Sequence, residues 1–502
     1  MKTPRTFPAK LSVAVLLAAI LLALVLRLYS LADDNLWLDE GASLMLSAGA
    51  GPGDVLRATA LHDPHPPGYY LALHLWRNIF GSSDAALRGL SVALSVATVP
   101  VLFLLGSALF GRSVGLTSAV LLAIMPTSVR YAQEARSYAM LVLLVALTWL
   151  FALRVCRERN LAATVGFALA AMLLPLTHYW GGVALAVIVL LSLFTGMRDA
   201  GKRAYLLQLG PGTALSLAVM IAWMAAVLAR QMQTAAITGA AYQLPRASSI
   251  MAAFGRPFGY DLLLGPAGVI AIATGLGCAT LAWWLWRDGE GGLDPVTPGA
   301  RWWAICMLLI PVALIALIGS FTTFWIGVRV PNITLLPTTL LCSAAVVGLW
   351  QRRRWAAIVL SIVLVALCGH GLWRWHTAPP RPDWETIAAT IEAREQPSDV
   401  VVTIDSNFVP ELFAHYYDGA LEVHGISRDL EDPAEVERAA LDIWPDGGRM
   451  WLILMHAHES RAPDIVRQMA ASEEQFRVGD VRFYMLDYPS GRHDRAEENE
   501  TS

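Results

Sequence analysis

Roughly eleven apolar runs, each long enough to cross about 30 Å of hydrocarbon as a helix, organise this 502-residue sequence. They begin near positions 11, 88, 114, 138, 161, 182, 206, 262, 302, 332 and 355. Inside a bilayer no water is available to satisfy the backbone, so each run has to be a helix or part of a closed barrel. Their length is that of helices, and the chain reads as a polytopic α-helical membrane protein. Charged residues make up 15% of the chain, against about 25% in an ordinary soluble domain. Eighteen tryptophans supply rings suited to the membrane interface. No basic block points to nucleic acid. Cys156, Cys278, Cys306, Cys342 and Cys368 form no C-x-x-C pair, which argues against a disulfide framework or a thiolate metal site.

The connections between the runs alternate in charge. One set holds the basic N-terminus, Arg112, RVCRER from Arg154, MRDAGKR from Met197, the segment 287–301 and QRRR ending at Arg354. The positive-inside rule places these in the cytoplasm. The first run, 11–29, is long for a signal peptide and lacks a clean cleavage site, so it reads as an uncleaved first span. An odd number of spans then puts the C-terminal part outside. Arg57, Arg77, Arg130, Arg136, Arg230, Arg246, Arg256 and Arg329 fall on the outer side, against the charge bias, as anion binding there would require.

The polar connection after the first span, about 31–87, carries two motifs. LWLDEGASLMLSAG (36–49) puts Asp39 and Glu40 in a short loop near the lipid boundary, where a carboxylate is costly without a partner or a task. HDPHPPGYY (62–70) uses Pro66 and Pro67 to fix the directions of His65, Tyr69 and Tyr70; His62, Asp63 and His65 also have metal-ligand chemistry. The second outer connection, RYAQEARSYAM (130–140), concentrates Gln133, Glu134, Arg136 and Tyr138; Arg offers a planar fork that matches phosphate. THYWGG (177–182) sets His178 at a membrane edge, and FWIGVRVPNITLLP sets Arg329 at the mouth of the tenth span.

From about 373 the composition changes. PDWETIAATIEAR reads as an amphipathic helix with Trp384, Ile387 and Ile391 on one face. DVVVTID (399–405), MWLILMHAH (450–458) and VRFYMLDY read as strands, with helical patterns at 434–441 and 462–471 between them. The division expected is a membrane domain over 1–372, a small α/β extracytoplasmic domain over 373–488 and a disordered polar tail over 489–502.

LWLDE, HPPGYY, QEARSYA and the late Arg-x-Pro…Leu-Pro entry, in that order and in those connections, resemble the GT-C class of membrane glycosyltransferases. The nearest resemblance is to the bacterial branch related to protein mannosyltransferases, the aminoarabinose transferase and Rgt-type galacturonosyltransferases, and covers about 10–350. PDWETIAATI resembles the segment that succeeds the spans in many such proteins. The resemblance implies sugar transfer from a polyprenyl-phosphate-linked donor to an envelope lipid, glycan or protein, with inversion, at the outer face of a bacterial cytoplasmic membrane. It implies Asp39 as general base, with Glu40 positioning it or a cation. His65, Arg136 and Arg329 are the implied phosphate-binding groups. His62, Asp63, Tyr69, Tyr70, Gln133, Glu134, Tyr138 and His178 are the candidate substrate-binding residues. Several relatives carry lysine where this chain has His65, which leaves that residue the alternative of serving a divalent metal ion. A transporter or flippase, and a polymerase or ligase of lipid-linked glycans, are the competing classes. The chain shows no internal repeat and almost no acidic residue within its spans, contrary to the common transporter pattern.

Overall fold

The computed structural model describes residues 8–63, 65–158, 160–197, 207–237, 247–260, 265–286, 295–297, 299–321, 331–379, 381–405, 408–427, 430, 432–444, 448–455, 461–479 and 481–487. Arg246, Arg329 and the tail 489–502 lie outside them. In chain order the helices are α1 (Ala9–Leu28), α2 (Leu38–Leu46), α3 (Pro52–His62), α4 (Gly68–Phe80), α5 (Asp84–Phe110), α6 (Arg112–Ile124), α7 (Pro126–Ala132), α8 (Tyr138–Arg157), α9 (Leu161–Thr177), α10 (Tyr179–Met197), α11 (Leu209–Ile237), α12 (Ala247–Gly255), α13 (Pro266–Leu285), α14 (Ala300–Phe321), α15 (Pro331–Arg352) and α16 (Arg354–His376). A 3₁₀ turn, Arg256–Phe258, follows α12. The chain forms two compact units, Met1–Leu31 with Val55–Ala378, and Ala32–Asp54 with Pro379–Ser502. The opening part of the first polar connection thus belongs with the C-terminal part of the chain.

In the first unit, seven helices among the described residues are long and apolar enough to cross a membrane: α1, α5, α8, α11, α13, α15 and α16. The bent pair α6–α7 is together long and apolar enough for one more, and α9, α10 and α14 contain shorter apolar helices. These occupy the eleven expected places. The protein is a multi-pass membrane protein. Within the unit α15 and α8 are central, with 83% and 72% of their apolar windows buried, whereas α1 and α11 are peripheral at 22% and 17%.

The 57° bend between α6 and α7 has a sequence cause. Pro126 has no N–H for the Leu122 carbonyl and pushes Met125 into an extended conformation, ψ 118°. The carbonyls this releases are taken up by Arg27, the last basic residue of α1. Its Nη1 donates to Ala123 O at 3.0 Å and its Nη2 to Leu122 O at 3.3 Å. Its Nε donates to Ser95 Oγ at 2.8 Å, and Nη2 also to Ser128 Oγ at 2.7 Å. Arg27 is fully buried. A buried cation and a broken helix, each costly in lipid, satisfy one another here.

The second unit carries α17 (Trp384–Glu392), β1 (Val400–Asp405), α18 (Val409–Ala414), β2 (Val423–Ser427), α19 (Pro433–Ile443), β3 (Arg449–Leu454), α20 (Ala462–Met469), β4 (Ser472–Val478) and β5 (Val481–Asp487). The sheet order is β2-β1-β3-β5-β4. β2, β1 and β3 are parallel, and β5 runs antiparallel between β3 and β4. Val400, Val402, Ile404, Met450, Leu452, Tyr484 and Leu486 form one core with Val436 and Ala440 of α19 and Val466 of α20. The continuous apolar runs of β1 and β3 suit strands buried on both faces. β2 and β4 were not expected from sequence. SEEQFRV is largely exposed at the edge of the sheet and has too little apolar character to show as a strand.

Candidate functional site

Two arrangements of candidate residues stand out, one in each unit. In the first unit the chain between α3 and α4 folds back on itself. Asp63 Oδ1 accepts from the His65 backbone N–H at 2.6 Å and lies 2.7 Å from His65 Nδ1. Tyr70 OH donates to Asp63 Oδ2 at 3.2 Å and accepts from Arg136 Nη1 at 3.1 Å. Asp63, Tyr70 and Arg136 are all buried.

Burial alone would raise the Asp63 pKa. The facing His65 and Arg136 outweigh it and hold the carboxyl at about 2. Asp63 is therefore ionised and can only accept, so His65 Nδ1 is the donor of the pair and Nε2 is the ring nitrogen left for other work. Burial, together with the Asp63 charge against which Arg136 acts, drives the Tyr70 phenol well above its ordinary value, so it stays a neutral donor and acceptor.

Adjoining elements close the cluster. Tyr69 OH and Ser91 Oγ are 3.0 Å apart, and Ser91 Oγ donates to the Arg136 carbonyl at 3.4 Å. The His178 ring lies 5.4 Å from that of His65 and 6.2 Å from that of Tyr138, centroid to centroid. His178 Nδ1 accepts from the Trp180 N–H at 3.2 Å, which places the proton of the neutral ring on Nε2. Gly68 makes the approach possible. A Cβ there would lie 2.8 Å from the Leu176 carbonyl oxygen at the end of α9. The tyrosines of this motif stand on α4, with Pro67 as its N-cap.

The remaining candidates of this unit lie elsewhere. Gln133 Nε2 donates to Tyr29 O at 2.7 Å, and Gln133 Oε1 accepts from Trp375 Nε1 at 2.6 Å. That ties the end of α7 to the ends of α1 and α16. Glu134 accepts from Arg130 Nε at 3.2 Å. His62 is exposed at the end of α3. Arg329 is outside the described residues. Among the described residues, no group of three or more His, Cys, Asp or Glu side chains could hold a metal ion, so the divalent ion left open for His65 gains no site from them.

In the second unit Asp39 and Glu40 stand in the first turn of α2, not in a loop. Acidic residues at that position complement the positive end of the helix, which explains why the segment winds up. Glu40 is fully buried; its Oε2 accepts from the Trp37 backbone N–H at 3.3 Å and pairs with Arg381. Trp384 Nε1 donates to Leu36 O at 2.9 Å, and Leu36 N donates to Tyr416 OH at 2.6 Å. Asp39 itself is half-buried. Sequence reasoning missed Arg381; the only signal was a lone arginine in the RPDW stretch that resembles the family.

The helical fold, with its small C-terminal sheet, is that of the GT-C glycosyltransferases. It matches the crystal structure of ArnT from Cupriavidus metallidurans bound to undecaprenyl phosphate with a TM-score of 0.61 at 15% identity, over 95% of this chain and 98% of that one. The archaeal oligosaccharyltransferase AglB from Archaeoglobus fulgidus, in complex with an inhibitory peptide and a dolichol-phosphate, matches with 0.54 at 10% identity, over 94% of this chain and 74% of that one. The arabinofuranosyltransferase AftD from Mycobacteria matches with 0.52 at 14% identity, over 95% of this chain and 42% of that one. The family model of the dolichyl-phosphate-mannose-protein mannosyltransferases matches residues 64–225 of this chain. No curated protein sequence matches the chain.

Proposed function

We propose that this chain is a glycosyltransferase that moves a sugar from a polyprenyl-phosphate-linked donor to an envelope lipid, glycan or protein at the outer face of a bacterial cytoplasmic membrane. The observation that carries the reading is the match to the mannosyltransferase-family model, whose range takes in His65, Tyr70, Arg136 and His178. The fold shared with ArnT, solved with undecaprenyl phosphate, supports a polyprenyl phosphate as carrier. The charge pattern of the connections supports a cytoplasmic N-terminus and an extracytoplasmic second unit.

In this reading Asp39 accepts the proton of the acceptor hydroxyl as its oxygen attacks the anomeric carbon. The bond from that carbon to the phosphate oxygen breaks, the polyprenyl phosphate leaves with the electron pair, and the configuration inverts. Negative charge grows on the departing phosphate, and fixed donors aimed at it lower the barrier. Arg136, His65 and Arg329 take that role. Asp63 acts on His65 as a positioning residue, because its ionised carboxylate selects the Nδ1–H tautomer and leaves Nε2 toward substrate. Tyr69, Tyr70, Tyr138 and His178 shape the sugar and phosphate environment, and Glu40 holds the first turn of α2 through Arg381.

The test compares envelope lipids and glycans of a deletion strain with those of a strain expressing Asp39→Asn. Accumulation of one lipid-linked sugar and loss of one residue from one glycan in both strains is the expected result. The Asn variant is expected to lose about 10²–10⁴-fold in transfer rate. An Asp39→Asn chain with full activity removes the base assignment, and unchanged pools in the deletion strain remove the transferase reading.

A further inference from the structure

Two of the arginines that the charge bias leaves over, Arg130 and Arg256, meet Arg374 at one cavity of the first unit. A space of about 290 Å³ is lined by Thr127, Arg130, Arg256, Arg374 and Trp375, with Gly371 in its wall. Three guanidinium groups face it; Arg130 also pairs through Nε with Glu134 at 3.2 Å, and the described lining itself includes no carboxylate. None of the Asp63, His65 and Arg136 cluster takes part. We propose that this cavity is a second anion site, which binds a phosphoryl group at headgroup depth.

The guanidinium groups are held in place before any ligand arrives. Arg130 Cζ lies 5.3 Å from the Trp375 ring and 5.7 Å from the Tyr131 ring, and Arg374 Cζ lies 5.4 Å from the Tyr260 ring. Thr127 Oγ1 donates to the Arg256 carbonyl and joins α7 to the 3₁₀ turn. Trp375 is fixed in turn by its bond to Gln133. Arg256 is buried, Arg130 half-buried and Arg374 exposed, a gradient from the wall of the cavity to its mouth.

Two glycines bring these elements together. Gly259 adopts φ +83°, a left-handed conformation that side chains rarely take, directly after the 3₁₀ turn. A Cβ on Gly371 would lie 2.3 Å from Phe258 O and 2.7 Å from Pro126 Cγ. Only backbone-to-backbone approach lets α7, the turn and α16 each present an arginine to one space.

The volume is at the lower end of the usual ligand-pocket range of about 300–1,000 Å³. It suits a phosphate-sized group rather than a whole lipid. Arg forks match phosphate oxygens with two parallel hydrogen bonds each. Trp373 and Trp375 at the end of α16 and Tyr131 beside Arg130 are of the residue types enriched at membrane interfaces. The ligand class is therefore a phosphate ester of a lipid headgroup, or a soluble phosphate of the same chemistry.

The test uses the purified full chain in neutral detergent. It is titrated by calorimetry with dihexanoyl phosphatidate, with inorganic phosphate, and with dihexanoylglycerol as the uncharged control. Phosphatidate or phosphate is expected to bind and the control not to. Binding of phosphatidate alone assigns a lipid headgroup, and binding of phosphate with equal affinity assigns a soluble ligand. Arg374→Gln, at an exposed position that folding tolerates, is expected to weaken binding on the order of tenfold, and Arg374→Lys less. Gly371→Ala leaves every charge in place but separates the 3₁₀ turn from α16, and is expected to weaken binding as well. The proposal is overturned if neither phosphate compound binds better than the control, or if Arg374→Gln binds as wild type does.

Discussion

Replacing Asp63 by Asn removes a buried charge and keeps the side-chain shape; an amide oxygen in the place of Oδ1 can still accept from the His65 backbone N–H, while the amide nitrogen takes the place of Oδ2 beside the Tyr70 hydroxyl. The ionised carboxylate is nonetheless strongly favoured in the folded chain. Burial opposes it, and the neighbouring His65 and Arg136 overcome burial to hold the pKa at about 2. Set against about 3.9 in an unfolded chain, that difference is worth about 2.5 kcal/mol to the folded state at neutral pH. A depressed carboxyl stabilises the fold fully above its unfolded value, and the contribution fades as pH falls through its folded value. The stability difference between wild type and Asp63→Asn is therefore expected to be flat from pH 7 down to about 4 and to vanish between about 4 and 2. Thermal unfolding of both purified chains in the same detergent, across that pH series, measures it. A difference that stayed constant through the acid range would refute the electrostatic argument, as would an Asn variant as stable as wild type at pH 7. The same substitution frees His65 to change tautomer, so transfer activity is expected to fall even where the fold persists.

Arg27→Met keeps the apolar stem of the side chain but removes the guanidinium donor from the Leu122 and Ala123 carbonyls and from two serines, and is expected to cost about 2–4 kcal/mol. An unchanged midpoint of thermal unfolding would contradict this. In the second unit Asp399, fully buried, pairs with Arg449 at 2.7 Å and accepts from Trp451 Nε1 at 3.1 Å. Asp399→Ala strands the guanidinium and is expected to cost about 3 kcal/mol, read as faster hydrogen exchange in β1 and β3. Glu40→Gln keeps the bond to the Trp37 N–H and loses the charge pair with Arg381; exchange of the first-turn amides of α2 is expected to speed up by about tenfold. Protection equal to wild type would show that the pair contributes nothing to that turn.

Much of the architecture could be read one residue type at a time. The spans show because hydrophobicity over about twenty residues is a local property, and β1 and β3 show because both of their faces are buried. The Asp63–His65–Tyr70 part of the cluster was legible too, since its members lie within eight positions and Pro66 and Pro67 limit the paths between them. Other readings failed for the same reason. Asp39 and Glu40 looked like loop acids because the partner of Glu40, Arg381, is 341 positions away. The partners of Gln133, Tyr29 and Trp375 at the ends of two other helices, were not legible either.

The sequence by itself determined that the chain is a multi-pass membrane protein, the order of its apolar helices, and the alternation of strand and helix near the C-terminus. These follow from the transfer of single side chains between water and an apolar phase, which depends on composition along the chain. Which charge meets which was decided only in three dimensions. Arg27 found the carbonyls released at Pro126, Glu40 found Arg381, and Arg130, Arg256 and Arg374 found one cavity. A charged group is stabilised by whatever lies within a few ångströms of it, and for each of these residues that neighbour exists only after distant segments have packed.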